Sequence, residues 1–256
     1  MVIGRKQVAT FVAEFLGVGL LTLTYLSVQR STIGIAYFVA IAAGAAVAAT
    51  AYFFGDVSGA HMNPAITLAL WTARKVGTVT AALYLVFQVL GAWTAYGVYH
   101  YLVGSGFASI GGHYSAHVLI AEALGTFVLA LAWGAASVRK METGSRAFLL
   151  GGSYALAIII AAVTGVGFGV ANPALALGVR AWAFAGSMGW GTYVAGPVLG
   201  ALIGVNLYML LFADSKSTGN GKMVAAEAVT TSSASSSRAT RGKKKTSTAK
   251  KKTTRR

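Results

Sequence analysis

The stretch "HMNPAITLAL" (61–70) places a proline directly after an asparagine inside an apolar run, and "VANPALALGV" (170–179) repeats the arrangement. Asparagine is a preferred N-cap residue, and proline is well tolerated at the first helical position, where its missing N–H needs no partner. The two motifs, Asn63-Pro64-Ala65 and Asn172-Pro173-Ala174, therefore predict the starts of two short helices. The stretches 63–71 and 172–180 are apolar enough to enter a membrane but too short to cross about 30 Å of hydrocarbon.

The composition of the 256-residue chain is typical of an integral membrane protein, with 56% hydrophobic and 11% charged residues. Six stretches have roughly the 20 apolar residues that a span requires: 8–28, 33–54, 80–102, 117–138, 148–165 and 190–212. The first is too long for a signal peptide and contains Glu14. The chain has no cysteine, which excludes disulfides, thiolate metal sites and a cysteine nucleophile.

Lysine and arginine lie mainly before the first predicted span, after the second, after the fourth and after the sixth. The positive-inside rule therefore predicts cytoplasmic N- and C-termini, and we expect the plasma membrane as the location. Residues 213–256 hold 12 Lys or Arg, 2 Asp or Glu and no aromatic residue, which predicts a disordered basic tail after a membrane domain over 1–212. Anionic lipid is one expected partner of this tail, a solvated tether without a partner is the other reading, and nucleic acid is disfavoured.

The chain reads as an inverted repeat. "VAEFLGVGLLTL" (12–23) resembles "IAEALGTFVLAL" (120–131), and Glu14 precedes Asn63 by 49 residues as Glu122 precedes Asn172 by 50. Each half, about 8–105 and 117–212, holds three spans, an odd number that gives the halves opposite orientations. The predicted fold is an all-α membrane protein with six transmembrane helices and two re-entrant half-helices that meet near the midplane.

These motifs, together with "SGAHMNPAITLA" and "ANPA", resemble the aquaporin and glycerol facilitator (major intrinsic protein) family over about residues 8–212. The resemblance implies a passive channel for water and small neutral solutes in the lipid bilayer, and a homotetramer with one pore in each protomer. Paired asparagine donors at two half-helix N-termini suit a neutral polar solute and repel cations. No nucleophile–base set and no metal-ligand spacing is visible, so we expect no catalysis, cofactor or metal.

Glu14 and Glu122 are ionisable residues inside spans, where such groups normally face the protein interior. They could relay protons, or each could accept hydrogen bonds from the backbone that leads into a half-helix; the resemblance implies the second role. The resemblance also places His61 near the cytoplasmic mouth. Its side chain either lines the pore or satisfies loop backbone, and the sequence leaves both readings open.

The family pattern fails at one position. Most members have an arginine directly after the second Asn-Pro-Ala, where this chain has Leu175, and Arg180 is expected to point away toward the outer surface. The remaining selectivity-filter positions, inferred from the resemblance, are small or apolar: Ala43, Ala157 or Ile160, and Gly169. We therefore expect a wider, less polar constriction that passes glycerol, urea or ammonia as well as water.

Two other functions compete with the channel. Inverted repeats and interrupted helices also occur in secondary transporters, where Glu14 or Glu122 would couple transport to protons. The chain could instead be a junction or tethering protein that acts through its basic tail. Saturable uptake driven by a pH gradient would favour the first alternative. Retention of flux after removal of 213–256 would argue against the second.

Overall fold

The computed structural model describes residues 4–31, 36–108, 114–165, 169–182 and 189–213, and the regular structure within these ranges is helical. The α-helices are α1 (Arg5–Arg30), α2 (Ala36–Ser58), α3 (Pro64–Thr72), α4 (Thr78–Val103), α5 (Ala116–Val138), α6 (Thr143–Ala161), α7 (Pro173–Gly178) and α8 (Gly196–Phe212). A 3-10 turn (Ala162–Thr164) extends α6, and a π turn (Gly191–Ala195) leads into α8. The predicted tail lies outside the described residues except for Ala213.

Six of these helices are long and apolar enough to cross a membrane: α1, α2, α4, α5, α6 with its 3-10 turn, and α8 with its π turn. The short helices α3 and α7 begin at the two Asn-Pro-Ala motifs. The predicted all-α fold with six spans and two half-helices is confirmed.

The fifth span begins earlier than its hydropathy indicates, at Thr143 instead of 148. Glu142 caps it, because its carboxylate accepts hydrogen bonds from the backbone N–H groups of Gly144 (2.9 Å) and Ser145 (3.0 Å). These donors lower the pKa of the exposed Glu142 below its ordinary value. The first turn of α6 is polar, so an apolar window misses it.

Both half-helices end in the same way. Arg74 follows α3 and Arg180 follows α7, and each has a left-handed backbone with a φ of 58°. In each case the N–H of the arginine and of the residue after it return to carbonyls of the last helical turn, as in a Schellman motif. The four bonds are Arg74 to Trp71 (2.9 Å), Lys75 to Leu70 (2.8 Å), Arg180 to Leu177 (3.0 Å) and Ala181 to Ala176 (2.7 Å). The second half-helix therefore stops at Gly178, before the predicted end at 180.

Within each half, one glycine lets two spans approach closely. A Cβ atom at Gly91 of α4 would overlap the carbonyl oxygen of Phe15 in α1. In the second half, a Cβ atom at Gly200 of α8 would overlap the carbonyl oxygen of Ala123 in α5. Because lipid offers no hydrophobic driving force, close backbone packing of this kind is what holds membrane helices together.

The two halves cross at a second pair of glycines. A Cβ atom at Gly44 of α2 would lie 2.7 Å from the carbonyl oxygen of Gly151 in α6, and one at Gly151 would lie 2.5 Å from the carbonyl oxygen of Gly44. Since real Cβ atoms do not approach so closely, both positions require glycine. The crossing packs α2 of the first half directly against α6 of the second.

Candidate functional site

Two loops carry the chain into the half-helices: the first re-entrant loop (residues 59–62) precedes α3, and the second re-entrant loop (residues 169–171) precedes α7. The side-chain oxygen of Asn63 accepts a hydrogen bond from the N–H of Ala65 at 2.9 Å. That of Asn172 accepts from the N–H groups of Ala174 (3.0 Å) and Leu175 (3.3 Å). Each asparagine thus caps its half-helix, and each proline occupies the first turn.

The two asparagines also tie the loops to each other. The side-chain amide of Asn63 donates to the carbonyl of Ala171 at 2.8 Å, and that of Asn172 donates to the carbonyl of Met62 at 2.8 Å. Each amide therefore reaches the residue that directly precedes the other asparagine. The two half-helix N-termini consequently meet, although 109 positions separate Asn63 from Asn172 in the chain.

The residue before each asparagine has a strained backbone. Met62 (φ 48°) and Ala171 (φ 51°) adopt the left-handed conformation, which costs about 1–2 kcal/mol in a residue other than glycine. In both, a buried glutamate holds the strained N–H group. Met62 donates to Glu14 at 2.6 Å, and Ala171 donates to Glu122 at 2.7 Å. This backbone conformation directs the carbonyl of each residue toward the side-chain amide of the asparagine in the other motif.

The carboxylate of Glu14 is fully buried and is surrounded by donors. Besides Met62, it accepts hydrogen bonds from the hydroxyl of Ser58 (2.7 Å), the N–H of His61 (2.9 Å) and the side-chain amide of Gln88 (2.7 Å). The Gln88 amide also donates to the hydroxyl of Thr67 at 2.9 Å, which connects α4 with α3. Through these four hydrogen bonds, Glu14 therefore holds the first re-entrant loop in place.

The side chain of His61 lies at the edge of this network. Its Nδ1 is 3.2 Å from the hydroxyl of Thr67, and its ring packs edge-on against the ring of Tyr84 at a centroid distance of 5.1 Å. Arg146, in the first turn of α6, donates from Nη2 to the carbonyl of Gly59 at 3.0 Å. The first re-entrant loop is thus held by α1, α4 and α6 together.

The positions proposed for the filter do not all lie in the interior. Ala43, Ala157 and Leu175 are fully buried, and Gly169 is buried as well. Ile160 is only half-buried and lies outside the buried stripe of α6. Of the two residues proposed from the fifth span, the structure therefore brings Ala157 and not Ile160 to the interior.

Gly169 packs closely against α6, and Arg180 bonds to the connection that follows α4. A Cβ atom at Gly169 would overlap the carbonyl oxygen of Ile158, so the second re-entrant loop can pack on α6 only with glycine there. The exposed Arg180 donates from Nη1 to the carbonyl of Phe107 at 3.2 Å, in the connection that follows α4. Its guanidinium group reaches that connection.

Two tyrosines that contact the second re-entrant loop were not expected from the sequence. The hydroxyl of Tyr25 donates to the carbonyl of Gly169 at 3.0 Å, and the hydroxyl of Tyr154 donates to the carbonyl of Val170 at 2.9 Å. Both side chains are fully buried. One signal was present: Tyr25 follows Glu14 by eleven residues, close to three helical turns, and so shares its helix face.

The chemistry of this centre is neutral hydrogen bonding. Amide donors, backbone carbonyls and phenol hydroxyls meet there, and both glutamates are engaged with backbone N–H groups. Within the described ranges, no group of three or more His, Cys, Asp or Glu side chains is placed to hold a metal ion. Such a site can bind and orient a small polar molecule.

Comparisons with known proteins agree on one protein family. A family model described as "Major intrinsic protein" matches residues 3–208. The chain is 29% identical over 237 residues to Aquaporin AqpM of Methanothermobacter thermautotrophicus, covering 81% of this chain and 95% of that protein. It is 32% identical over 221 residues to Probable aquaporin PIP-type 7a of Pisum sativum, covering 78% of this chain and 75% of that protein.

The fold also resembles that in the X-ray structure of the aquaglyceroporin from Plasmodium falciparum. The TM-score is 0.64 with 21% sequence identity, over 81% of this chain and 97% of that chain. At this level of identity the likeness concerns the fold alone.

Proposed function

Because this chain belongs to the major intrinsic protein family, we propose that it conducts water together with small neutral solutes such as glycerol, urea or ammonia. Members of the family are channels and not enzymes, so passive conduction of water or small solutes follows from membership. Which solutes the channel conducts does not follow from membership, and this is what we propose. One observation supports these solutes: the expected filter positions Ala43, Ala157 and Leu175 carry small or apolar, buried side chains.

One observation carries the proposed function: the reciprocal bonds by which Asn63 and Asn172 each reach the opposite re-entrant loop at 2.8 Å. A primary amide has two N–H bonds, and Asn63 uses one for Ala171. The other is available to a passing solute oxygen. A solute that accepts this bond is held where the two half-helices start, at the positive ends of their dipoles. A cation is repelled at the same place.

The range of solutes that can pass depends on the filter residues, which are distinct from Asn63 and Asn172. Leu175 in the first turn of α7 carries no charge and no side-chain donor, and Ala43 and Ala157 are small. A filter without a fixed guanidinium group loses a charged barrier and its five N–H donors. We infer that the chain discriminates among neutral solutes mainly by size and accepts more of them than a filter with arginine.

The flux itself is the first experiment. We expect vesicles that contain the purified chain to shrink faster than empty vesicles after an osmotic step in stopped-flow light scattering, and to take up glycerol faster under a glycerol gradient. A variant that lacks residues 214–256 should show the same flux, because the described spans and both loops are intact. Flux no faster than in empty vesicles, with incorporation verified, would contradict the channel. Loss of flux only without the tail would favour a role for the tail.

We also propose that the protein is a homotetramer in the plasma membrane, with cytoplasmic termini and the basic tail near anionic lipid. The positive-inside asymmetry of the connections and the 12 Lys or Arg of residues 213–256 support the orientation and the position of the tail, while the tetramer is what the family resemblance implies. Native mass spectrometry of the detergent-solubilised chain checks the assembly, and a monomer under mild conditions would contradict it.

A further inference from the structure

Building on the proposed function, we propose that Tyr25 and Tyr154 form the narrowest part of the pathway, beside the second re-entrant loop, and limit the size of the solutes that pass. The family resemblance places the filter at small or apolar residues such as Ala43 and Leu175. The structure also brings two large phenol side chains, from α1 and α6, to the second re-entrant loop at Gly169 and Val170.

The second re-entrant loop has two faces with different hydrogen-bond partners. On one face, the N–H groups of Val170 and Ala171 donate to the carboxylate of Glu122 at 2.9 and 2.7 Å. The carbonyl of Ala171 points away from Glu122 to the amide of Asn63, at the centre of the molecule. The loop therefore turns its carbonyls toward the interior space through which a solute would pass.

Tyr25 and Tyr154 converge on these carbonyls from opposite halves of the repeat. Their hydroxyls donate to the neighbouring carbonyls of Gly169 (3.0 Å) and Val170 (2.9 Å). Val170 lies two positions before Asn172, so the second of these bonds brings the hydroxyl of Tyr154 close to the asparagine that caps α7.

The central residues on this side are among the most deeply buried of the described chain. The exposed fraction is 8% for His61 at the first re-entrant loop, 2% for Asn63 and 0% for Asn172. Tyr25 is 0% and Tyr154 1% exposed. Both tyrosines are thus enclosed as completely as Asn172, and they contact the second re-entrant loop in a closely packed part of the interior.

The tyrosines also set the chemistry of this constriction. A phenol that donates its proton to a carbonyl presents its own oxygen as an acceptor. The phenol oxygens and rings of Tyr25 and Tyr154 therefore border the loop at the carbonyls of Gly169 and Val170. We expect the constriction to pass water readily and glycerol, which is larger, more slowly.

The absence of cysteine from the chain allows a direct test, because each introduced thiol is the only one present. We would compare the wild type with Tyr25→Cys and Tyr154→Cys in vesicles, measuring water and glycerol permeability before and after mercuric chloride. Removing a ring should raise the ratio of glycerol to water permeability about tenfold, which corresponds to about 1.4 kcal/mol in the barrier. Mercury bound to the thiol should then block both fluxes, because soft thiolates bind such metals strongly.

Tyr99→Cys is the matched control. Tyr99 is a buried tyrosine of α4 whose ring packs against Phe107, at a centroid distance of 5.9 Å. Its replacement removes the same volume, and we expect neither a change in the permeability ratio nor a block by mercury. The wild type, which has no thiol, should also be insensitive.

The outcomes separate this inference from the proposed function. Wild-type flux equal to that of empty vesicles would contradict the channel itself. Wild-type flux with cysteine variants that keep the wild-type ratio and resist mercury would overturn the role of the tyrosines alone. If the cysteine variants do not fold, Tyr25→Phe and Tyr154→Phe keep the ring volume and decide the question. Each of these substitutions removes the hydroxyl that donates to a loop carbonyl and should raise glycerol permeability. An unchanged ratio of glycerol to water permeability in both variants would overturn the inference.

Discussion

Replacing Glu122 with alanine is expected to abolish water and glycerol flux and to destabilise the protein strongly. The carboxylate is fully buried and holds the N–H groups of Val170 and Ala171 at 2.9 and 2.7 Å. Without it, two buried donors lose their acceptor, at a combined cost of about 4 kcal/mol. The left-handed backbone of Ala171 also loses the bond that holds it, so its carbonyl no longer faces Asn63. Thermal unfolding in detergent and stopped-flow light scattering measure the two effects.

Two further variants make the Glu122 result interpretable. Glu142→Ala removes an exposed carboxylate that caps α6, which should destabilise the protein far less than Glu122→Ala and leave flux unchanged. Glu122→Gln keeps one acceptor oxygen, so its flux should lie between those of the wild type and the alanine variant. A glutamine variant as inactive as the alanine variant but fully stable, in a protein whose uptake follows a pH gradient, would instead indicate a proton relay.

Replacing Leu175 with arginine is expected to narrow the range of solutes. The residue is fully buried in the first turn of α7, and its N–H bonds to the side chain of Asn172 at 3.3 Å. An arginine there adds bulk, a fixed charge and five donors to the place where a solute approaches Asn172. Glycerol permeability should fall about tenfold, which corresponds to a barrier raised by about 1.4 kcal/mol, while water permeability changes much less. The two are measured on the same vesicle preparation.

The matched control is Leu175→Met, which conserves volume and apolar character and should leave both permeabilities near those of the wild type. Unchanged glycerol flux in a stable, incorporated Leu175→Arg variant would remove Leu175 from the filter. Loss of water flux together with glycerol flux would mean that arginine closes the passage. That result would be consistent with a space already reduced by Tyr25 and Tyr154.

The fold was accessible from the sequence because its main signals are local. Apolar runs of about 20 residues identify spans wherever they pack. Asn63 and Asn172 cap the helices that directly follow them, and Pro64 and Pro173 fit the first turn, so these starts depend on only a few consecutive residues. The start of α6 was missed for the same reason, because Glu142 caps a first turn that is polar and falls outside an apolar window.

The surroundings of the filter positions were not accessible in this way. Counting along the chain left Ala157 and Ile160 as alternatives, and only the rotation of α6 against its neighbours buries the first and leaves the second half-exposed. Tyr25 contacts Gly169, a residue 144 positions away in the chain. No local pattern specifies such a contact, since it depends on how two spans from different halves pack around the loop.

The sequence by itself determined the six spans, the two half-helices and the inverted repeat, since turn-scale backbone preferences and the cost of placing polar groups in lipid act on each segment separately. The tertiary structure alone decided which side chains surround the meeting point of the half-helices. The close crossing of α2 and α6 at Gly44 and Gly151 fixes how these helices are rotated about their axes. In this rotation of α6, the hydroxyl of Tyr154 lies at the carbonyl of Val170. Which side chains contact the second re-entrant loop is thus set by packing between distant segments, and not by the residues adjoining the Asn-Pro-Ala motifs alone.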